Sequence, residues 1–158
     1  MKLGKNIAWA LLIIFLLMQF YRPEKNVTED SDHLTPFLTE TNPPEEVLGI
    51  LKSSCFDCHS NQTRYPWYNN LAPVSWWLDG HIEEGKEHLN VSEWERYSPK
   101  KKDHKLEEVV EMVEVGEMPL DSYTWTHEEA RLSAEQRQAI MAWARQTRTL
   151  YELGDRPE

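Results

Sequence analysis

Cysteine is nearly absent from this chain: Cys55 and Cys58 are the only two in 158 residues. A structural zinc site would need a second Cys pair or a His pair at metal spacing. The remaining histidines (His33, His81, His88, His104 and His127) are scattered. Convincing strand patterns are missing too, which leaves a thioredoxin-like dithiol without the βαβ frame it requires. A plain disulfide stays open for an oxidising compartment. Basic charge is also short, with 17 Lys and Arg against 27 Asp and Glu and a formal charge of −10. Lys2, Lys5, Arg22 and Lys25 sit in an N-terminal stretch where Glu24 is the only acid, so the rest is more acidic still. Nucleic acid phosphates would be repelled, and nucleic acid is excluded as a partner. The length allows one modest domain, with no separate output domain.

Against that background the two cysteines stand in one place, Cys55-Phe56-Asp57-Cys58-His59. This is C-x-x-C-H, the signature for covalent attachment of a c-type haem. Two thiols one helical turn apart can each add to a vinyl group of the same porphyrin. The imidazole of His59 then lies beneath the ring as the proximal iron ligand.

The N-terminus reads as a targeting element over residues 1–23, a signal anchor or signal peptide. Lys2 and Lys5 precede an apolar run from Ile7 to Phe20, and no small-x-small cleavage site follows, which favours an anchor with a cytoplasmic N-terminus. The bulk of the protein is then expected on the periplasmic side of the cytoplasmic membrane. Residues 24–41 read as a polar tether, although Phe37 and Leu38 could pack on the domain instead. The domain proper is expected over 42–158.

Within it, Asn42-Pro43-Pro44 predicts a helix start, with Val47, Leu48, Ile50 and Leu51 inward. An aromatic loop follows from Ser60 to Leu71, in which Arg64, Tyr65, Trp67 or Tyr68 could hold a propionate. A second helix is expected from Ala72-Pro73 to Leu89, with Val74, Trp77, Leu78, His81 and Ile82 on one face. His81 is there either a core residue or an iron ligand. Lys100-Lys101-Lys102 reads as solvated lysines on a loop. A third helix carries Leu106, Val109, Val110 and Val113 inward and ends at Gly116. Met118 follows in an extended segment stiffened by Pro119, which suits a thioether reaching the free face of an iron. Met112 is its competitor and reads as packing. Ser133 to Gln136 is a capping box for a last helix reaching Leu153, with Ile140, Trp143, Ala144, Thr147 and Leu150 or Tyr151 inward. The sequons at Asn26, Asn61 and Asn90 are treated as chance.

Together, Cys55-Phe56-Asp57-Cys58-His59-Ser60-Asn61, Tyr65-Pro66-Trp67-Tyr68, Ala72-Pro73-Val74-Ser75-Trp76-Trp77, Gly116-Glu117-Met118-Pro119-Leu120 and the Leu132-Ser133 helix resemble the bacterial haem-binding domain family related to cytochrome c. The resemblance runs from about Asn42 to about Ala144. It implies an all-α, cytochrome c-like fold wrapped around one haem c, held by Cys55 and Cys58, with His59 as proximal and Met118 as distal ligand. It leaves electron donor and acceptor unassigned. The expected role is single-electron transfer outside the cytoplasm, an electron carrier rather than an enzyme. The rivals are a haem-based redox or gas sensor and a peroxidase-like enzyme.

Overall fold

A computed structural model describes residues 2–152, and all regular structure among them is helical. The helices are α1 (Lys2–Met18), α2 (Thr35–Thr41), α3 (Glu45–Ser54), α4 (Phe56–His59), α5 (Val74–His88), α6 (Pro99–Val115), α7 (Asp121–Thr124) and α8 (Ala134–Glu152). Leu153, the expected end of the last helix, lies outside the described residues.

α6 and α8 form the frame. Arg137 near the start of α8 donates to the Val113 carbonyl near the end of α6 at 3.1 Å, and Arg148 near the end of α8 pairs with Asp103 near the start of α6 at 2.7 Å. The two helices are therefore antiparallel. Their apolar faces, Leu106, Val110 and Val113 against Ile140, Trp143, Ala144 and Tyr151, are buried as the periodicity predicts. Thr147 is buried in the same stripe, and Leu150, the alternative to Tyr151, is exposed. At the start of α8, Ser133 and Gln136 exchange capping bonds of 3.2 and 2.8 Å. At the end of α6, Gly116 adopts φ +81°, a left-handed stop that glycine takes at little cost.

The stretch read as a tether, 24–41, is folded against the domain. Phe37 on α2 is 2 % exposed and meets Phe56, Trp94 and Trp143 edge to face at 6.2, 5.1 and 6.1 Å. Asn42 is not the cap of the next helix. It closes α2 in the left-handed conformation (φ 39°), which asparagine tolerates, and Pro44 precedes α3 instead. Upstream, the Gln19 side chain pairs with both the amide and the carbonyl of Ala72, at 3.0 and 3.1 Å, and Trp76 Nε1 donates to the Tyr21 carbonyl. Composition alone misses these attachments because they are made by single polar side chains.

α1 has 17 residues, about 25 Å at the helical rise, short of a hydrocarbon layer of about 30 Å. No helix among the described residues is long and apolar enough to cross a membrane. The expected anchor thus lacks the length of a spanning helix, although its side chains are exposed from Lys2 through Leu17. Lys102, read as solvated, is instead held at the start of α6 by the Glu40 carboxylate at 2.6 Å, and that carboxylate also accepts from Tyr151 at 2.8 Å.

Candidate functional site

α3 runs into Cys55, whose backbone (φ −126°, ψ −45°) breaks the helix and restarts it as the single turn α4. The amides of Cys58 and His59 both donate to the Cys55 carbonyl, at 3.2 and 3.0 Å. Residues three and four apart share a helix face, so Cys55, Cys58 and His59 lie together, each half-buried. The two residues between the cysteines point the other way: Phe56 and Asp57 are each 5 % exposed. Both thiols are free. Burial pushes the Cys55 thiol up to about 12, helped by Cys58, and the Cys58 thiol up to about 11, helped by Asp57. Such thiols stay protonated, the reverse of the low-pKa cysteines that drive disulfide exchange.

His59 is oriented from behind. Its Nδ1 lies 3.0 Å from the Leu89 carbonyl, an acceptor only, so Nδ1 carries the proton and Nε2 keeps its lone pair. Burial pushes the imidazole below its ordinary value, against the opposing pull of the Leu89 and Gly85 carbonyls, and so favours the neutral ring. Leu89 is delivered by α5, which crosses α4 at Gly85. A Cβ at Gly85 would stand 2.8 Å from the Cys58 carbonyl oxygen and 3.1 Å from Cys58 Cβ. Only glycine permits that approach.

Asp57 is the second anchor. Its carboxylate accepts from Arg64 Nε and Nη2, each at 3.0 Å, from the Arg64 amide at 3.1 Å, and from Tyr123 Oη at 2.8 Å. A nearly buried carboxylate needs that many partners. Tyr123 belongs to α7, just beyond Met118. The Met118 amide donates to the Met112 carbonyl at 3.1 Å, which folds the segment back on the end of α6. Met118 is half-buried, and its neighbours Gly116 and Pro119 line a groove of about 400 Å³ together with Trp125, Leu132 and Arg137 among others; neither Met118 nor Cys55, Cys58 and His59 line it. The two thiols and the imidazole are thus gathered into one cluster; Met118 is not placed against them, and the chain that follows it is joined to the turn by the Tyr123–Asp57 bond.

Other candidates fall elsewhere. The Arg64 guanidinium is spent on Asp57, Tyr65 Oη accepts from the Asn26 amide at 2.7 Å, and Tyr68 Oη pairs with Thr126 at 2.8 Å. Trp67 is exposed. His81 packs against the Trp77 ring at 4.4 Å. The buried face of α5 is Ser75, Leu78, Ile82 and Gly85, one step round from the expected stripe, and it leaves Trp77 47 % exposed. Met112, read as packing, is 38 % exposed. The three sequon asparagines are internal connectors: Asn90 donates to Asn61 at 2.8 Å, and Asn26 donates to the Ser60 carbonyl and accepts from Lys86. Among the described residues, no three His, Cys, Asp or Glu side chains gather to hold a metal ion by themselves. Gly85, Leu89 and Tyr123 were not legible as site residues. Only the glycine left a signal, on a helix whose periodicity did not need it.

An all-helical domain that presents two thiols and a pinned, neutral imidazole on one turn has the chemistry of a haem-binding protein. The chain matches the model of the haem-binding domain family over residues 13–146 and belongs to that family. No curated protein and no solved structure matches it.

Proposed function

We propose that this protein is a monohaem c-type cytochrome that carries single electrons on the outer side of the cytoplasmic membrane. The observation that carries the reading is the α4 turn, with Cys55, Cys58 and His59 on one face and His59 Nδ1 bonded to the Leu89 carbonyl. In this reading Cys55 and Cys58 would hold the haem as thioethers, and His59 Nε2 and the Met118 sulfur would be the groups that bind its iron. The haem, when bound, supplies an iron that takes up and releases one electron. The residues of the chain do the positioning. Leu89 fixes the imidazole plane and raises its basicity, and Phe56 and Asp57 fasten the turn to the protein. A Met–His ligand pair favours the oxidised state less than two imidazoles would, which raises the potential.

The uncovered apolar side chains Leu71, Val74, Trp77 and Trp125 offer the surface a porphyrin needs. Three of the remaining histidines have partners of their own: His33 pairs with Ser92, His104 with Glu108, and His127 stacks on Tyr123. A peroxidase-like enzyme would need a free base over an open iron face; the Met118 ligand of the present reading would close that face. Lys2 and Lys5 ahead of an apolar helix support export, with α1 as the signal that keeps the domain at the membrane.

Two measurements test the proposal. Acid–acetone extraction of the purified protein should leave the haem attached, with Cys55→Ala and Cys58→Ala each removing one link; freely extracted haem would overturn it. The oxidised protein should show the weak near-infrared sulfur-to-iron band and ignore CO when reduced. Met118→Ala should abolish the band and open the iron to CO, whereas Met112→Ala and His81→Ala should leave it in place. Loss of the band in Met112→Ala alone would move the ligand to Met112, six residues upstream on α6.

A further inference from the structure

We infer that Tyr123 and Asp57 form a latch that holds the Met118 segment against the C-x-x-C-H turn, making both of them positioning residues for the sixth iron ligand. The inference rests on the reading of His59 and Met118 given above and goes beyond it in saying what keeps the thioether in place.

The segment from Gly116 to α7 has little packing of its own. Met118, Pro119 and Leu120 are each only half-buried, and α7 is a single turn whose one buried residue is Thr124. A stretch so poorly packed opens at low cost unless specific bonds hold it. It is fixed at two points. At its front, Arg137 reaches from α8 to the Val113 carbonyl and the Met118 amide bonds back to Met112. At its rear, Tyr123 Oη donates to Asp57 Oδ2 at 2.8 Å, with the Ser53 carbonyl at 3.3 Å as a weaker second acceptor. Met118 lies between these points.

The rear bond is the one aimed at the site. Asp57 sits between the two cysteines and two residues before His59, so whatever it holds is held in register with the proximal ligand. Its carboxylate is rigid, because Arg64 grips both oxygens and contributes its own backbone amide. Tyr123 is rigid too, since its ring stacks on His127 at 4.1 Å with an interplanar angle of 13°. A bond between two ordered partners, one of them charged and nearly buried, is among the stronger ones a protein makes. For Met118 to swing away from an iron, the segment must open, and opening breaks this bond.

A matched control exists. Tyr151 donates to the Glu40 carboxylate at the same 2.8 Å and ties α8 to α2, with no bond to the Met118 segment or to Asp57. Tyr123→Phe and Tyr151→Phe each remove one tyrosine–carboxylate bond and leave the ring in place. The test is the rate at which cyanide replaces the sulfur ligand in the oxidised, haem-loaded full chain, read from decay of the near-infrared band. Amide hydrogen exchange over residues 117–124 is followed in the same samples. Tyr123→Phe should speed replacement about tenfold, the loss expected for one bond to a charged acceptor, and should raise exchange over 117–124. Tyr151→Phe should do neither. No acceleration in Tyr123→Phe, or an equal one in both variants, would overturn the latch while leaving Met118 as the ligand. Absence of the sulfur band from the wild-type protein would overturn the Met118 reading and, with it, this role for the latch.

Discussion

Where α6 lies along α8, contact is made by apolar stripes, and polar bonds such as Arg148 to Asp103 sit at the margins. Where α5 crosses α4, a glycine lets backbone approach backbone, and the surroundings are held by Asn26, Asn90, Asp57 and Tyr123 through single hydrogen bonds. The first region buries its large side chains: Trp143, Ile140, Leu106 and Phe37 are all nearly inaccessible. The second leaves Trp67, Trp77 and Trp125 uncovered. A region of the first kind is stabilised by area and tolerates shape changes at a cost that scales with volume. One of the second kind is stabilised by geometry, so it is sensitive at particular atoms and has apolar surface left over for something else to cover. That difference is what a haem-binding half joined to a self-sufficient half should look like.

The largest effect is expected from removing the ring that joins the two regions. Phe37 touches Trp94 and Trp143 on the packed side and Phe56 on the motif side. Phe37→Ala should cost about 3–5 kcal/mol, the range for a buried phenylalanine, measured by urea unfolding. An effect below about 1 kcal/mol, ordinary for an exposed position, would restore 24–41 to a tether and separate the regions.

A smaller but more local effect belongs to Gly85. The Cβ of Gly85→Ala would press on the Cys58 carbonyl, part of the backbone and unable to step aside. The expected cost is about 1–3 kcal/mol, as for overpacking, with a lower yield of haem-loaded protein read from the haem absorbance of the purified chain. Gly80, on the same helix, has nothing within 4 Å of its own Cβ position, so Gly80→Ala should stabilise by up to about 1 kcal/mol through helix propensity. Equal behaviour at the two glycines would break the contrast drawn above.

The two regions also differed in how far the sequence revealed them. The bounds of α5, the stop of α6 at Gly116 and the Ser133 capping box that opens α8 follow from periodicity and end signals, because each is written within a few residues of itself. The start of α6 does not, since Lys100–Lys102 read as loop and lie in its first turn. The C-x-x-C-H spacing likewise places Cys55, Cys58 and His59 on one face without further information. The residues that support the motif left no such trace. Asp57 meets Tyr123 66 positions away, Gln19 meets Ala72 53 positions away, and His59 meets Leu89 30 positions away. A single polar pair at that separation has no period to detect. Asn42 is ambiguous for another reason: asparagine suits both a helix start and a left-handed helix end, and the polar composition of 24–41 hides the α2 helix that it closes. Lys102 was misjudged because its neighbours in sequence are exposed while its partner, Glu40, comes from that same unread helix.

The smallest effect lies wholly within the packed region and checks that it stands apart from the site. Ser133 Oγ accepts from the Gln136 amide at 3.2 Å and donates to the Glu135 carboxylate at 2.7 Å. Ser133→Ala should cost about 1 kcal/mol, the usual value of an N-cap, and leave the haem spectrum unchanged. Part of the loss should depend on pH. The Ser133 hydroxyl holds the Glu135 carboxyl below its ordinary value, so the ionised form is favoured in the folded state. Its contribution is present above the unfolded-state value and is lost as pH falls through the folded-state one. The gap between wild type and Ser133→Ala should therefore narrow slightly on acidification below the carboxylate range, while the part due to the Gln136 amide persists. A shifted haem spectrum in this variant would mean that the end of α8 communicates with the α4 turn, and the two regions would have to be treated as one.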